Sequence, residues 1–213
     1  MASTLLRLWA VLPLIILCVS CQAQQSPAAE IRRIVGGPCE GCEAAFEYGE
    51  QALAAIDTIP GFEAHSPKME VFGTVYREDG TTPAAGIVIY AYQTNREGEY
   101  VAAKSASGWG RRHGQHRGWV KTGPDGQYRF YTFRPGGYPG RDEPEHIHLT
   151  ILEPGLAPYY IDDVVFTDDP RLTEQKLAAL RNRGGSGVVT PKTGSGMLRV
   201  RRDIVLGRNI PAY

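Results

Sequence analysis

Arg134-Pro-Gly-Gly-Tyr-Pro-Gly-Arg-Asp-Glu-Pro-Glu-His-Ile-His148 places one tyrosine, Tyr138, and two histidines, His146 and His148, within eleven residues. The histidines stand two apart, and alternate side chains of an extended strand leave by the same face. A rigid strand would therefore offer both imidazoles to one metal ion. Tyr138 lies just upstream, in a Pro/Gly-bounded loop that can fold back over that face. Taken alone, the His-Ile-His pattern reads equally well as a half-buried strand with two polar residues on its solvent side.

Outward from this segment the pattern is one of short strands. Residues 69–76 are rich in β-formers and run into the turn Glu78-Asp-Gly80. Residues 86–94 alternate aliphatic and aromatic side chains. Residues 118–122 lead into the turn Gly123-Pro-Asp-Gly126, with 128–133 expected as the hairpin partner. Residues 146–152, 159–166 and 198–206 supply three further strands. This spacing predicts an all-β fold, a β-sandwich, with short helical elements near the N-terminus and in the C-terminal half. The helical candidates are 43–56, interrupted by Gly49 and broken at Ile59-Pro-Gly-Phe62, and 173–183, with Thr173 as N-cap and Gly184 as stop. The segment 104–117 is a long Gly/Ser/Arg/His loop around Trp109. It reads either as a solvated surface loop or as a lid beside the site.

With 23 basic and 23 acidic residues the formal charge is zero, so there is no electrostatic case for nucleic acid. Residues 1–20 have the form of a signal peptide. Arg7 precedes an apolar core over 12–19 that is too short to span a bilayer. Val19-Ser20-Cys21 resembles a lipoprotein cleavage site, so a lipid anchor on Cys21 and a place in the cell envelope are expected. Residues 21–67 are then a polar tether and an extension containing Cys39 and Cys42, and 68–213 the sandwich domain. Outside the cytoplasm the Cys39/Cys42 pair is expected to be oxidised. No second Cys/His pair follows to complete a zinc site.

Beyond these local readings, the chain resembles the intradiol ring-cleavage dioxygenases over residues 68–206. The likeness runs through Tyr92-Gln-Thr-Asn-Arg-Glu-Gly-Glu-Tyr100, then Gly126-Gln-Tyr-Arg-Phe-Tyr-Thr-Phe-Arg-Pro-Gly-Gly-Tyr138, then His146-Ile-His148. It implies a non-haem ferric ion, Fe(3+), held by Tyr100, Tyr138, His146 and His148. Two phenolates and two imidazoles suit that charge better than they suit zinc. It also implies a catechol-like aromatic diol and O2 as substrates, a muconate-type diacid as product, and a catalytic Tyr138 that leaves the metal and takes a diol proton. The chain departs from the family at two places. Glu143 stands where many members carry an arginine three residues before the first histidine. Asp163 stands where a glutamine is common. Arg141 is the candidate to replace the arginine, and with the 111–117 loop it would favour an anionic catechol. The rival readings are a non-catalytic transthyretin-like module, suggested by Val71-Phe-Gly-Thr-Val-Tyr76 and the strand after it, and a protein that holds iron or iron–catecholate without turnover.

Overall fold

The computed structural model describes residues 32–213. The expected signal segment, Cys21 and the tether lie outside them. Eleven strands are described: β1 (Ile56–Thr58), β2 (Lys68–Tyr76), β3 (Val88–Tyr92), β4 (Arg117–Lys121), β5 (Gln127–Phe133), β6 (His146–Leu152), β7 (Tyr159–Phe166), β8 (Val188–Val189), β9 (Lys192–Gly194), β10 (Met197–Arg201) and β11 (Ile204–Val205). They form two sheets. One has the order β1-β5-β2-β10-β9, with β11 also on β2; the other has the order β4-β3-β6-β7-β8. The period-2 patterns point one set of side chains between the sheets: Met69, Val71 and Val75 from β2, Phe130 from β5, Ile147, Leu149 and Ile151 from β6, Ile161, Val164 and Phe166 from β7. Each such side chain contributes about 1.5–3 kcal/mol on leaving water. The expected all-β sandwich is what forms.

The outer face of the second sheet is covered too, and this positions the site. Val88, Tyr90 and Leu152 point away from the main core and pack with Ala44 and Ala45 of the N-terminal extension, beside Trp109 and Trp119. The extension carries one 3-10 turn, Cys42–Phe46, and is closed by a Cys39–Cys42 disulfide, as expected. Trp119 Nε1 donates to Ala44 O at 3.1 Å.

Four local expectations fail, each for a tertiary reason. Residues 198–206 are not one strand, because Arg202, whose buried guanidinium donates to Gly184 O and Gly185 O, separates β10 from β11. Residues 43–56 are not a helix beyond the 3-10 turn. Gly49 takes a left-handed φ of 60°, and the chain then runs extended. Ala54 O accepts from Lys121 N and Ala55 O from Arg129 N, each at 2.8 Å, so this segment bridges β4 of one sheet to β5 of the other. These bonds outweigh the modest helix propensity of an Ala-rich run. The turn at 123–126 forms, with Gly126 N donating to Gly123 O at 2.9 Å, but β4 and β5 are not a hairpin. β4 pairs with β3, and β5 with β1 and β2. The C-terminal helix is only α2 (Glu174–Ala179). Thr173 caps it, but Leu180 is already extended. Gly184 is not its stop, because the chain turns inward to bury Arg183, whose guanidinium bonds to Tyr160 O and Gly36 O. The 104–117 loop contains one turn of helix, α1 (Gly110–His113). No helix among the described residues is long and apolar enough to cross a membrane.

Candidate metal centre and active site

The site lies on the outer face of the second sheet. β6 alternates as expected: Ile147 and Leu149 are buried in the core, and His146 and His148 emerge opposite. His148 is the cross-strand partner of Tyr92 on β3, and the two rings stack at 4.5 Å. On its other side β6 meets a bulge. Ile147 pairs with Val164 and Leu149 with Ile161, so Asp162 and Asp163 together stand opposite His148. The extra residue re-aims β7. Asp163 Oδ1 consequently sits 3.0 Å from His148 Nδ1.

The tyrosines come from two loops zipped together by buried polar residues, a device that local sequence patterns do not signal. Gln93 Nε2 donates to Phe133 O at 2.8 Å and Thr94 Oγ1 to Gly136 O at 2.7 Å. Asn95 Oδ1 accepts from Glu97 N and Glu99 N, and Gly136 N donates to Asn95 O at 2.8 Å. Arg96 donates to Arg134 O. The backbones approach so closely that a Cβ on Gly98, already at φ +81°, would lie 2.0 Å from Gly137 O. Tyr100 and Tyr138 leave the ends of this paired unit and point at the histidines. Their hydroxyls are 2.7 Å apart.

All four expected donors therefore converge. Tyr138 Oη is 3.1 Å from His146 Nε2 and 3.3 Å from His148 Nε2. Tyr100 Oη is 2.9 Å from His148 Nε2, and the two Nε2 atoms are 3.1 Å apart. Donors held ~2 Å from one ion stand roughly 2.8–3.3 Å from each other. The Nδ1 partners fit the same reading. His146 Nδ1 donates to Pro144 O at 2.7 Å, and His148 Nδ1 to Asp163. Both Nε2 atoms then carry lone pairs that face each other, an arrangement a cation relieves. A His whose far nitrogen is held by a carbonyl or carboxylate is the usual build of a metal ligand. His146, His148 and Asp163 also present ligand-type atoms within 4.8 Å of one another. Asp163, however, contacts the ring nitrogen remote from the convergence point, so it supports His148 and does not join a two-His, one-carboxylate set.

Burial pushes the phenols of Tyr100 and Tyr138 up and holds His146 below the ordinary imidazole range. Burial also opposes ionisation of Asp163, but His148 outweighs it and keeps that carboxyl below the usual range.

Among the cavities that touch the donors, two have both Tyr138 and a histidine in their lining. The larger, about 420 Å³, has Tyr138, His146 and His148 on one side and an apolar wall of Val165, Leu172 and Leu180 on the other. The smaller, about 300 Å³, is bounded by Tyr92, Tyr100, Arg112 and His113. Trp109 lines it as well, so the 104–117 segment does flank the site. Its charges are largely matched: Arg112 pairs with Glu40 and Arg117 with Glu47. His113 is buried. It stacks on Tyr92 at 3.9 Å, and its Nδ1 is 2.8 Å from Tyr90 Oη. Burial lowers it to about 4. Arg141 is exposed, with its guanidinium 5.7 Å from the Tyr138 ring centroid. The four aspartates at 162, 163, 168 and 169 do not gather. They serve Asn182 N, His148, Arg134 and Arg171 respectively.

No family model matches the chain. In sequence it is 25% identical over 146 residues to the protocatechuate 3,4-dioxygenase beta chain of Burkholderia cepacia, covering 59% of this chain and 58% of that one. It is 30% identical over 151 residues to catechol 1,2-dioxygenase 1 of Acinetobacter lwoffii, covering 67% of this chain and 44% of that one. The chain thus spans about half the length of the curated relatives it matches. In fold it is similar to catechol 1,2-dioxygenase from Acinetobacter radioresistens, with TM-score 0.55, 19% identity and coverage of 74% and 59%. It is likewise similar to hydroxyquinol 1,2-dioxygenase from Pseudomonas putida DLL-E4, with TM-score 0.53, 18% identity and coverage of 85% and 68%. The expected resemblance to the intradiol ring dioxygenases is borne out in sequence and in fold.

Proposed function

We propose that the chain is a non-haem Fe(III)-dependent intradiol dioxygenase that opens a catechol-like aromatic with O2 to a muconate-type diacid. The carrying observation is the convergence of two phenol oxygens and two imidazole Nε2 atoms at 2.7–3.3 Å. Tyr100, Tyr138, His146 and His148 would hold the ion. Two phenolates offset much of its charge, which suits a half-buried site. When bound, a ferric ion supplies Lewis acidity toward the two diol oxygens and makes the ring reactive toward O2. Both atoms of O2 enter the product, so no external reductant is needed.

The chain's own residues do the rest. Val165, Leu172 and Leu180 offer an apolar wall to the ring and keep water from it. Of the two loop tyrosines, Tyr138 lines both cavities and has its hydroxyl within 3.3 Å of both histidines. Its Oη is the group that accepts a diol proton. His146 and His148 stay oriented through Pro144 O and Asp163. Tyr100 is held by the Asn95 turn.

Purified protein should contain about one iron per chain, be red-brown through phenolate-to-iron charge transfer, and take up one O2 per catechol consumed. Preferential zinc binding, or a ring opened outside the two hydroxyls, would reject the proposal. A second reading, an iron–catecholate holder without turnover, is favoured by Glu143 at the position of the family's arginine. It predicts the colour and the catechol-induced band shift with no O2 uptake. Attachment to the cell envelope through Cys21 is part of the same proposal. Cys21→Ala should release the protein from membranes, and a membrane fraction unchanged by that substitution would refute it.

A further inference from the structure

The charges around the larger cavity bear on which diol enters it, an inference that rests on the dioxygenase reading. The wall facing the donors is apolar, and three charged residues complete the lining: Glu143, Asp163 and Lys176. Asp163 is engaged with His148. Lys176 is the cation among them, and its ammonium is already committed. It donates to the main-chain oxygens of Asp142 and Arg171, and pairs with the Asp142 carboxylate at 3.0 Å. An ammonium has three protons to give, and these three acceptors match them. Glu143 is exposed, and no basic side chain among the described residues pairs with it. Arg141 does not line this cavity; its guanidinium lies by the Tyr138 ring. Arg112 belongs to the smaller cavity and is paired with Glu40.

A ring seated against Val165, Leu172 and Leu180, with its diol toward Tyr138, His146 and His148, would therefore carry its substituent toward a carboxylate without a counter-ion. A carboxylated side arm would meet repulsion there, and an ammonium would meet a partner. We infer that this site selects catechols bearing a cationic substituent on a short apolar arm, with Glu143 as the specificity-determining residue. The substitution of a carboxylate for the family's arginine would then reverse the charge preference rather than merely weaken the site. This also reverses the anionic preference expected above from Arg141 and the 111–117 loop.

The test uses three catechols of similar shape on the iron-loaded, full-length protein: 4-ethylcatechol, 4-(2-aminoethyl)catechol and 3-(3,4-dihydroxyphenyl)propanoate. Kd is measured anaerobically by calorimetry, and kcat/KM by O2 uptake. An exposed carboxylate gives about a two- to fivefold gain for the cation over the neutral compound, and a similar loss for the anion. The cation-to-anion ratio should then be roughly tenfold at low salt and shrink as salt rises. Glu143→Gln should bring the ratio close to one, and Glu143→Arg should invert it. Equal handling of all three by the unaltered protein, or a ratio unmoved in Glu143→Gln, overturns the inference and leaves the dioxygenase reading standing. A preference for the propanoate that disappears in Arg112→Ala overturns it as well, by putting the substituent in the smaller cavity. Binding without O2 uptake rejects turnover alone, and the Kd ratio still decides the preference. No binding of any of the three rejects the catechol site, and the preference with it.

Discussion

Replacing Asp163 by asparagine removes one negative charge while preserving the shape of the group that meets His148. Asp163 Oδ1 is 3.0 Å from Nδ1, and its side chain is 35% exposed. Asparagine can still accept the Nδ1–H through its carbonyl oxygen, so the bond survives as a neutral one. Hydrogen bonds to ionised groups contribute about 1.5–3 kcal/mol net and neutral ones about 0.5–1.5. The difference, about 1 kcal/mol after allowing for the partial exposure, corresponds to roughly a fivefold loss of iron affinity. Asp163→Ala removes the acceptor altogether, and the loss should grow to about 10–100-fold, the usual range for such supporting partners of a metal ligand. Competition against a chelator of known affinity reads these losses directly. Thermal melting of the metal-free variants separates them from a damaged fold. The reasoning fails if Asp163→Ala binds iron as tightly as the unaltered protein. It fails equally if both variants bind weakly only because the metal-free fold melts earlier.

Further outcomes distinguish the roles of the four donors and of their supports. Tyr100→Phe and His148→Ala should each lose iron together with activity, because each removes a donor; Tyr138→Phe should keep most of the iron and lose mainly turnover. Metal analysis and O2 uptake on the same samples check this. Gly98→Ala should lower the melting temperature and weaken metal binding, since its Cβ would lie 2.0 Å from Gly137 O at a φ of +81°. The strain costs about 1–3 kcal/mol and falls on both tyrosine loops. A melting temperature within a degree of the unaltered protein would count against the zipped-loop account. Acidification should destabilise the metal-free protein through His113. Its folded value of about 4 lies below the unfolded 6.5, so the unfolded chain binds more protons between them. The penalty is absent above pH 6.5, grows as pH falls, and is complete below about 4, where it reaches about 3 kcal/mol. Denaturant melts from pH 7.5 to 4.5 should show a shallower slope in His113→Gln. An identical slope would mean that other groups, among them His116 and His146, which are also lowered by burial, carry the effect.

Strands whose identity depends on local alternation are legible in the sequence alone. β6 and β7 begin and end where the sequence reading places them, and β2 differs by one residue. The histidine pair is legible for the same reason: a two-residue spacing decides a shared face whatever the strand pairs with. The tyrosines are legible through resemblance, because Tyr100 and Tyr138 stand in recognisable local surroundings. The failures all concern partners distant in sequence. Residues 54 and 55 give up a helix to bond Lys121 and Arg129. β4 and β5 flank an ordinary turn yet join different sheets. The C-terminal helix stops early so that Arg183 can reach Tyr160 O and Gly36 O. At the site, the sequence by itself determined which side chains are able to bind a metal. Only the tertiary structure decided that Gln93, Thr94 and Asn95 bind the two tyrosine loops together, that a bulge in β7 brings Asp163 to His148, and that Glu143 rather than Arg141 lines the larger cavity. The physical reason is one of range. Side-chain chemistry and strand period act over a few residues, whereas these contacts join segments 15 to 42 residues apart, and their free energy exists only once the sheets have formed.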